Sequence, residues 1–384
     1  MSAPGGKAKS KAVRYALVFL AAFIPALASA AWCFKPLDPV KAESICRRFI
    51  EKKMMTPDGG IYTASKVKNY LLFKKYRLDD FKQSGLLSES TGLMMDYAVA
   101  AGDRELFDGQ LLFAKKNLVG QIGLFFWKIT HDGELTANST ASIDDLRIVG
   151  ACIDAYENWD GKAYLNYALQ IAQNIRRYEI VDDSLRDFVN WRDWGAHTVA
   201  TKVQLSYLDL PAMLKISKHD EDWKAVLRQN HKILKNGQLG GGLFYEGYDF
   251  ENASYFGYTQ NTINQLYCGL FLAASPDDTR EMLNFFKNKM KEDGVIYAEY
   301  NALSGEATKF FESTSVYALL TRYALRCGDL KFASQVVKRL LAFQHGNPVS
   351  PMYGSFCDDE IYSFDNLEAL LALRTYNEYG KAVN

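Results

Sequence analysis

Acidic residues stand at the start of two neighbouring helical patterns. Asp144 and Asp145 follow a run of small polar residues and precede an apolar segment with helical spacing. Ser142 is a suitable N-cap for that helix, and Glu89 occupies a similar position one helix pair earlier. The helix dipole favours carboxylates in a first turn, which is the structural explanation of such acids. Two carboxyl groups at the starts of large helices are also what a two-carboxylate hydrolase requires.

Helical spacing of apolar residues extends over most of the chain. Short turns containing acids and glycine join the helices in pairs, and longer connections separate one pair from the next. Twelve helices are predicted, over 38–55, 89–101, 104–118, 143–157, 161–178, 199–216, 221–236, 259–274, 278–291, 312–326, 329–345 and 364–379.

The long connections define the predicted architecture. Regular repetition indicates an array of helix pairs. A solenoid of the tetratricopeptide kind would not need long loops on one side only, so we predict an all-α (α/α)6 toroid. One end then carries the tight turns, and the other carries long loops with short β-hairpins. These loops are rich in glycine, aromatic residues and acids, and they cover 119–142, 179–198, 237–258, 292–311 and 346–363.

Composition narrows the class of protein. The 384 residues include 45 basic and 45 acidic side chains, so the formal net charge is zero and a nucleic-acid partner is not expected. The five histidines and six cysteines do not cluster, which predicts no metal site. The glycines at 240–242 lack the lysine of a phosphate-binding loop, and we predict no cofactor. We expect a monomer.

The first thirty residues form a segment of their own. Basic residues between positions 7 and 14 precede an apolar run over 15–27 and then the small residues Ala28-Ser29-Ala30. This order is typical of a secretory signal peptide, although the run approaches the length of a membrane anchor. We therefore predict a signal peptide or anchor at 1–30, a single domain at 31–384, and export to the periplasm or the cell exterior.

Several segments resemble glycoside hydrolase family 8. Ser88-Glu89-Ser90-Thr91-Gly92-Leu93-Met94-Met95 is similar to that family's Ser-Glu-Gly-x-x-Tyr-Gly-Met, and Ala141–Ile148 is similar to its Ala-Thr-Asp-Ala/Gly-Asp-Leu-Asp-Ile. Looser matches to further motifs of the family follow in the same order along the chain, at Leu124–Trp127, Tyr156–Trp159, Ser206–Asp209 and Trp223. The resemblance implies an (α/α)6 barrel and hydrolysis of a polysaccharide with inversion. The departures from the motifs resemble a divergent branch that acts on bacterial exopolysaccharides.

The resemblance also implies residue roles. Glu89 lies at the position of the family's general acid. Asp145 matches the retained acid that contacts the sugar at the cleavage subsite, whereas Ile143 and Arg147 replace two other acids of that motif. Inverting enzymes keep their two carboxyl groups about 6.5–9.5 Å apart, so that a water molecule fits between acid and base.

The general base has a less complete match. Gly247-Tyr248-Asp249 offers the family's Tyr-Asp pair without its arginine, so Asp249 is the predicted base, with Asp193 and Asp209 as alternatives. Side chains that neighbour these acids or suit sugar stacking are predicted to bind substrate: Trp127, Asp144, Trp191, Trp194, Tyr207 and Tyr248.

The predicted activity is that of an exported inverting endo-glycosidase. It would cleave β-linked bonds, with β-1,4 as the expected linkage, in a secreted or biofilm polysaccharide. Two alternatives stay open. A non-catalytic glycan-binding or exopolysaccharide-secretion accessory protein would fit the altered motif at 141–148, and a toroid polysaccharide lyase would need a basic loop cluster that the sequence lacks.

Overall fold

A computed structural model describes residues 37–70, 75–78, 81, 84–191, 197–273, 280–357 and 360–383. Residues Pro39–Asn384 form one compact unit. The predicted signal or anchor at 1–30 lies outside the described residues, and the prediction of a single domain at 31–384 stays a prediction. Twelve α-helices lie within the described parts: α1 Pro39–Phe49, α2 Ser88–Ala101, α3 Arg104–Phe113, α4 Ser142–Trp159, α5 Lys162–Tyr178, α6 Leu210–Ser217, α7 Trp223–Asn236, α8 Thr262–Leu272, α9 Arg280–Glu292, α10 Thr314–Arg326, α11 Leu330–Leu341 and α12 Ser363–Val383.

The even-numbered helices close into an inner ring. Each packs on the next in the order α2, α4, α6, α8, α10 and α12, and α12 returns to α2. Outer helices pack against them, as α3 does on α2, α5 on α4 and α1 on α12. The inner helices are buried nearly all round, as α10 is, whereas outer helices such as α11 bury one stripe. This double ring is the predicted (α/α)6 toroid.

Two predicted helices, over 199–216 and 259–274, begin later than expected because a strand occupies the start of each segment. The segment 199–216 was expected to be helical throughout, but Lys202–Gln204 is a strand and the helix begins only at Leu210. Asp209 caps that helix by accepting from the Ala212 N–H at 2.9 Å, and Pro211 follows in the first turn. Strand pairing with Gly247–Asp249 is a long-range contact, which local periodicity does not report.

Short antiparallel strands occupy the predicted long connections, and further strands lie before α2 and at the starts of the helices predicted over 199–216 and 259–274. The strands are β1 Ala64–Tyr70, β2 Lys75–Leu78, β3 Leu86–Leu87, β4 Lys128–Ile129, β5 Ile180–Val181, β6 Ser184–Leu185, β7 Val189–Trp191, β8 His197–Val199, β9 Lys202–Gln204, β10 Gly247–Asp249, β11 Ser254–Phe256, β12 Thr259–Asn261, β13 Glu299–Asn301, β14 Ala307–Lys309 and β15 Glu360–Tyr362. Two three-stranded sheets, in the orders β11-β10-β9 and β12-β13-β14, bring distant connections together.

The long connections deliver the chain to the N-terminal ends of the inner helices. Ala141, not Ser142, is the N-cap residue of α4, and no side chain caps it. Instead the Ser142 N–H donates to the Asp187 carbonyl at 3.0 Å, which ties the helix start to the next connection. Among the described helices, none combines the length and apolar character needed to cross a bilayer.

Candidate active site

A cavity of about 290 Å³ lies where several inner helices begin. Residues that start α2, α4, α8 and α12 reach it, together with the segment that follows β9. Its described lining is Leu87, Glu89, Trp127, Ala141, Ile143, Asp144, Arg147, Gln204, Ser206, Tyr207, Ile263, Asn264, Tyr267 and Phe364. The structure thus brings together Glu89, Asp144, Trp127 and Tyr207, all of which the sequence had proposed.

Glu89 is the acid best suited to hold a proton in this cavity. It lies half-buried in the first turn of α2. Burial raises the pKa of Glu89 to about 8, the neighbouring Asp144 carboxylate contributes to the rise, and Arg147 opposes it. A carboxyl group that stays protonated near neutral pH can act as a general acid.

Asp144 is fixed beside Glu89 by two side chains. The Ser88 hydroxyl donates to one carboxylate oxygen at 2.6 Å, and Arg147 Nη1 donates to the other at 3.0 Å. Arg147 stands where the family motif has an acid. Its side chain passes close to Gly92 on α2, where a Cβ atom would lie 3.0 Å from Arg147 Cδ. The glycine therefore makes room for the arginine.

Arg147 continues a polar network across the ring. Its Nη2 lies 3.4 Å from the Tyr267 hydroxyl, which donates to Glu368, and Arg322 pairs with Glu368 at 2.6 Å. Arg147 and Tyr267 also line a second cavity of about 520 Å³. They form the floor that the two cavities share.

Asp145 faces away from the cavity and is fully buried. One carboxyl oxygen accepts from the Phe125 N–H at 2.9 Å, which holds the connection that carries Trp127. The other, Oδ2, faces Glu179, which accepts from the Thr140 hydroxyl. Among the described residues no N–H or O–H donates to Asp145 Oδ2 or Glu179 Oε2. Two acceptors that face each other in this way share a proton.

This pair gives a testable pH dependence of stability. Burial raises the pKa of Glu179 to about 8 and that of Asp145 well above its usual range. Between about pH 4.5 and 8 the unfolded chain has released protons that the folded chain keeps, so stability falls as pH rises. We expect the melting temperature of Glu179→Gln to change less with pH between pH 5 and 8 than that of the wild type, because the glutamine amide donates to Asp145. One proton accounts for at most about 1.4 kcal/mol per pH unit.

A matched control for that variant is Glu157→Gln, which neutralises an exposed glutamate of α4. Melting curves of the wild type and both variants, recorded at several pH values in one buffer series, provide the measurement. An unchanged slope in Glu179→Gln would show that the pair does not hold the proton.

Asp249 is not among the described residues that line this cavity, but it lies on the strand that pairs with β9. It is on β10, opposite Lys202 of β9, and the cavity-lining Gln204 lies two residues further along β9. Residues two apart share one face of a sheet, so Asp249 and Gln204 are diagonal neighbours, with about 7–8 Å between their Cα atoms. Asn252 Nδ2 donates to Asp249 at 3.0 Å, and Lys202 Nζ lies 3.3 Å away. The hydrogen bond from Asn252 holds the pKa of Asp249 below its usual range, with help from Lys202.

The other proposed residues lie in different surroundings. Trp191 is only 4% exposed and packs on Phe126 with ring centroids 4.8 Å apart, so it belongs to the core. Asp209 lines the second cavity as a helix cap. Tyr248 contacts the Tyr255 ring at 4.9 Å on the sheet that carries Asp249. Asp193 and Trp194 lie outside the described residues.

Two polar residues near the cavity were missed by the sequence analysis. Asn264 lines it from the first turn of α8. Asp187 accepts from the Gln204 N–H at 2.7 Å, and burial raises its pKa to about 6. An acid on a loop next to a strand has no local signature, since its position depends on its hydrogen bonds with Lys202 and Gln204 of β9.

The closed double ring of helices is the (α/α)6 fold that family 8 glycoside hydrolases have, with Glu89 and Asp144 at the N-terminal ends of inner helices. The family model of glycosyl hydrolases family 8 matches residues 77–335, and the chain belongs to that family. The protein is therefore a glycoside hydrolase.

The chain is also similar to three individual proteins with different names. The solved structure of a novel alpha-amylase from Clostridium perfringens is 30% identical, with a TM-score of 0.79 over 88% of this chain and 97% of that one. PssZ from Listeria monocytogenes shares the fold, with 21% identity and a TM-score of 0.66 over 85% of this chain and 94% of that one. YdaJ of Bacillus subtilis (strain 168), whose name proposes a lipoprotein, is 27% identical over 309 residues, 79% of this chain and 83% of YdaJ.

Proposed function

We propose that the protein is an exported, inverting endo-glycosidase that cleaves β-linked bonds, with β-1,4 as the expected linkage, in a secreted or biofilm polysaccharide. The proposal rests on two carboxyl groups whose pKa values are shifted in opposite directions. The pKa of Glu89 in the cavity is raised, whereas that of Asp249, on the strand that pairs with the strand of the cavity-lining Gln204, is lowered. An acid that keeps its proton and a base that stays ionised are what inversion needs.

The proposed reaction uses both groups in one step. Glu89 gives its proton to the glycosidic oxygen as the bond from that oxygen to the anomeric carbon breaks. Asp249 takes a proton from a water molecule whose oxygen attacks the opposite face of the same carbon. Asp144 and Tyr207 would contact the sugar at the break, and Trp127, which is 38% exposed, would stack on a neighbouring ring.

Export is part of the proposal. It rests on the basic, apolar and small-residue order of 1–30, and on the proposed lipoprotein character in the name of the relative YdaJ. Accumulation of the full-length protein in a cell-envelope or culture fraction would support it, and retention of an active protein in the cytosol would contradict it.

The substrate is tested by reducing-end release from a panel of polymers. Cellulose derivatives, mixed-linkage glucan, chitosan, xylan, purified bacterial exopolysaccharides and amylose would be incubated with wild type and Glu89→Gln. We expect hydrolysis of one β-linked polymer by the wild type alone. An equal release by Glu89→Gln would overturn the assigned acid, and no release from any polymer would favour the glycan-binding alternative.

A second candidate is hydrolysis of an α-linked glucan. It is favoured by the C. perfringens relative that is named an alpha-amylase. The polymer that is hydrolysed separates the candidates. The anomeric configuration of the first product, followed by NMR, tests inversion, because inversion gives an α-anomer from a β-linked polymer and a β-anomer from amylose.

A further inference from the structure

Two consecutive phenylalanines are exposed on the connection between α9 and α10. Phe310 and Phe311 follow β14, and their exposed fractions are 74% and 58%. The Tyr297 ring meets Phe310 edge-on, with centroids 5.3 Å apart and planes at 70°, and so supports it from one side. Single exposed apolar residues are ordinary, but an adjacent aromatic pair supported by a third ring indicates a contact surface.

Backbone pairing sets the distance from this pair to the active-site cavity. The Thr262 N–H, at the start of α8, donates to the Ala298 carbonyl at 2.9 Å, and the Ala298 N–H donates to the Phe311 carbonyl at 2.8 Å. Neighbouring strands lie about 4.8 Å apart, so Phe311 is about 10 Å from Thr262 along this row. The next residues of α8, Ile263 and Asn264, line the cavity.

We propose that Tyr297, Phe310 and Phe311 form a distal subsite that binds the part of a glycan chain extending out of the cavity. This inference rests on the proposed function. A cavity of about 290 Å³ holds only a short part of a polymer, so the rest of the chain must lie on the neighbouring surface. The C–H faces of sugar rings pack on exposed aromatic rings and remove apolar area from water.

The surroundings of the pair favour a neutral polymer over other occupants. On the same hairpin Lys309 pairs with Glu299 at 2.7 Å, and Thr308 donates to Glu299 at 2.8 Å, so these charges are already balanced. An anionic membrane would need uncompensated basic residues. A stable protein partner would need about 800 Å² of surface on each side, far more than two rings supply.

The test compares long and short substrates of one linkage. In the double variant Phe310→Ala/Phe311→Ala we expect the KM for the polymer that the wild type cleaves to rise about tenfold, as removal of two ring contacts implies. The kcat and the kinetics on a tetrasaccharide of the same linkage should not change. Val349→Ala, which trims an apolar side chain 88% exposed on another long connection, is the matched control. A variant with Tyr at both positions should keep the wild-type KM.

Unchanged polymer kinetics in the double variant would overturn the subsite, and so would an equal loss on polymer and tetrasaccharide. Migration in gels that contain each polymer of the panel supplies a measurement that does not need catalysis. Retardation of Glu89→Gln that disappears when both phenylalanines are replaced would support the subsite even if no hydrolysis were found. Failure of the subsite and failure of the proposed activity therefore give different results.

Discussion

Glu89→Gln is expected to lower kcat by about 10²–10⁴-fold on any polymer that the wild type hydrolyses, because general acid catalysis contributes about that much. A sugar hydroxyl is a poor leaving group without a proton, and the glutamine amide cannot supply one. Glutamine has nearly the same shape as protonated glutamic acid, so the KM and the melting temperature should stay close to the wild-type values. Steady-state kinetics by reducing-end release, with a melting curve for each preparation, is the measurement.

The matched control is Glu105→Gln, because Glu105 also stands in the first turn of a helix but is exposed on α3. It should keep wild-type activity. The pH profile separates a role in proton transfer from a structural one. Because Glu89 must be protonated and its pKa is about 8, kcat/KM of the wild type should fall as pH rises through about 8. If Glu89→Gln kept the same falling limb, that limb would belong to another group.

The ring of helices was predictable because it depends on local periodicity. Apolar residues three and four apart, tight turns within pairs and long connections between pairs are all local patterns, and the closed inner ring confirms their interpretation. Glu89 and Asp144 both stand in first turns of inner helices, so the topology predicts that acids from these two helix starts lie at the same end of the ring.

Side-chain positions that depend on a neighbouring strand or helix were not predictable from the sequence. Asp144 and Asp145 are adjacent in sequence, yet one faces the cavity and the other pairs with Glu179 in the core. Neither motif nor spacing distinguishes them, because the rotation of α4 about its axis decides which acid points inward. The contacts of Arg147 show the same limit. Its ion pair with Asp144 is local, three residues apart on α4, but its contact with Tyr267 comes from α8 and could not be read from the sequence.

Asp249→Asn is expected to lower kcat by about 10²–10⁴-fold while the fold persists. The N–H groups of Glu251 and Asn252 donate to Asp249 Oδ1 at 3.0 and 3.2 Å. An asparagine keeps that oxygen, so the turn should hold, although it cannot accept a proton from water. Azide is a nucleophile that has no proton to lose, and it should partly restore turnover by forming a glycosyl azide of inverted configuration. Rescue of Asp249→Asn by azide, and not of Glu89→Gln, would assign the two roles separately.

Asp187→Asn is the discriminating comparison, since Asp187 is an acid that accepts a hydrogen bond from the N–H of the cavity-lining Gln204. If Asp187→Asn lost more activity and was rescued by azide while Asp249→Asn stayed active, the general base would be Asp187.

Asn252→Ala adds a measurement on the intact Asp249 carboxylate. Its side-chain hydrogen bond is the largest influence that lowers the pKa of Asp249. Without it that pKa should rise, and the acidic limb of kcat/KM should move to higher pH. An unmoved acidic limb would show that Asp249 is not the group whose ionisation starts the reaction.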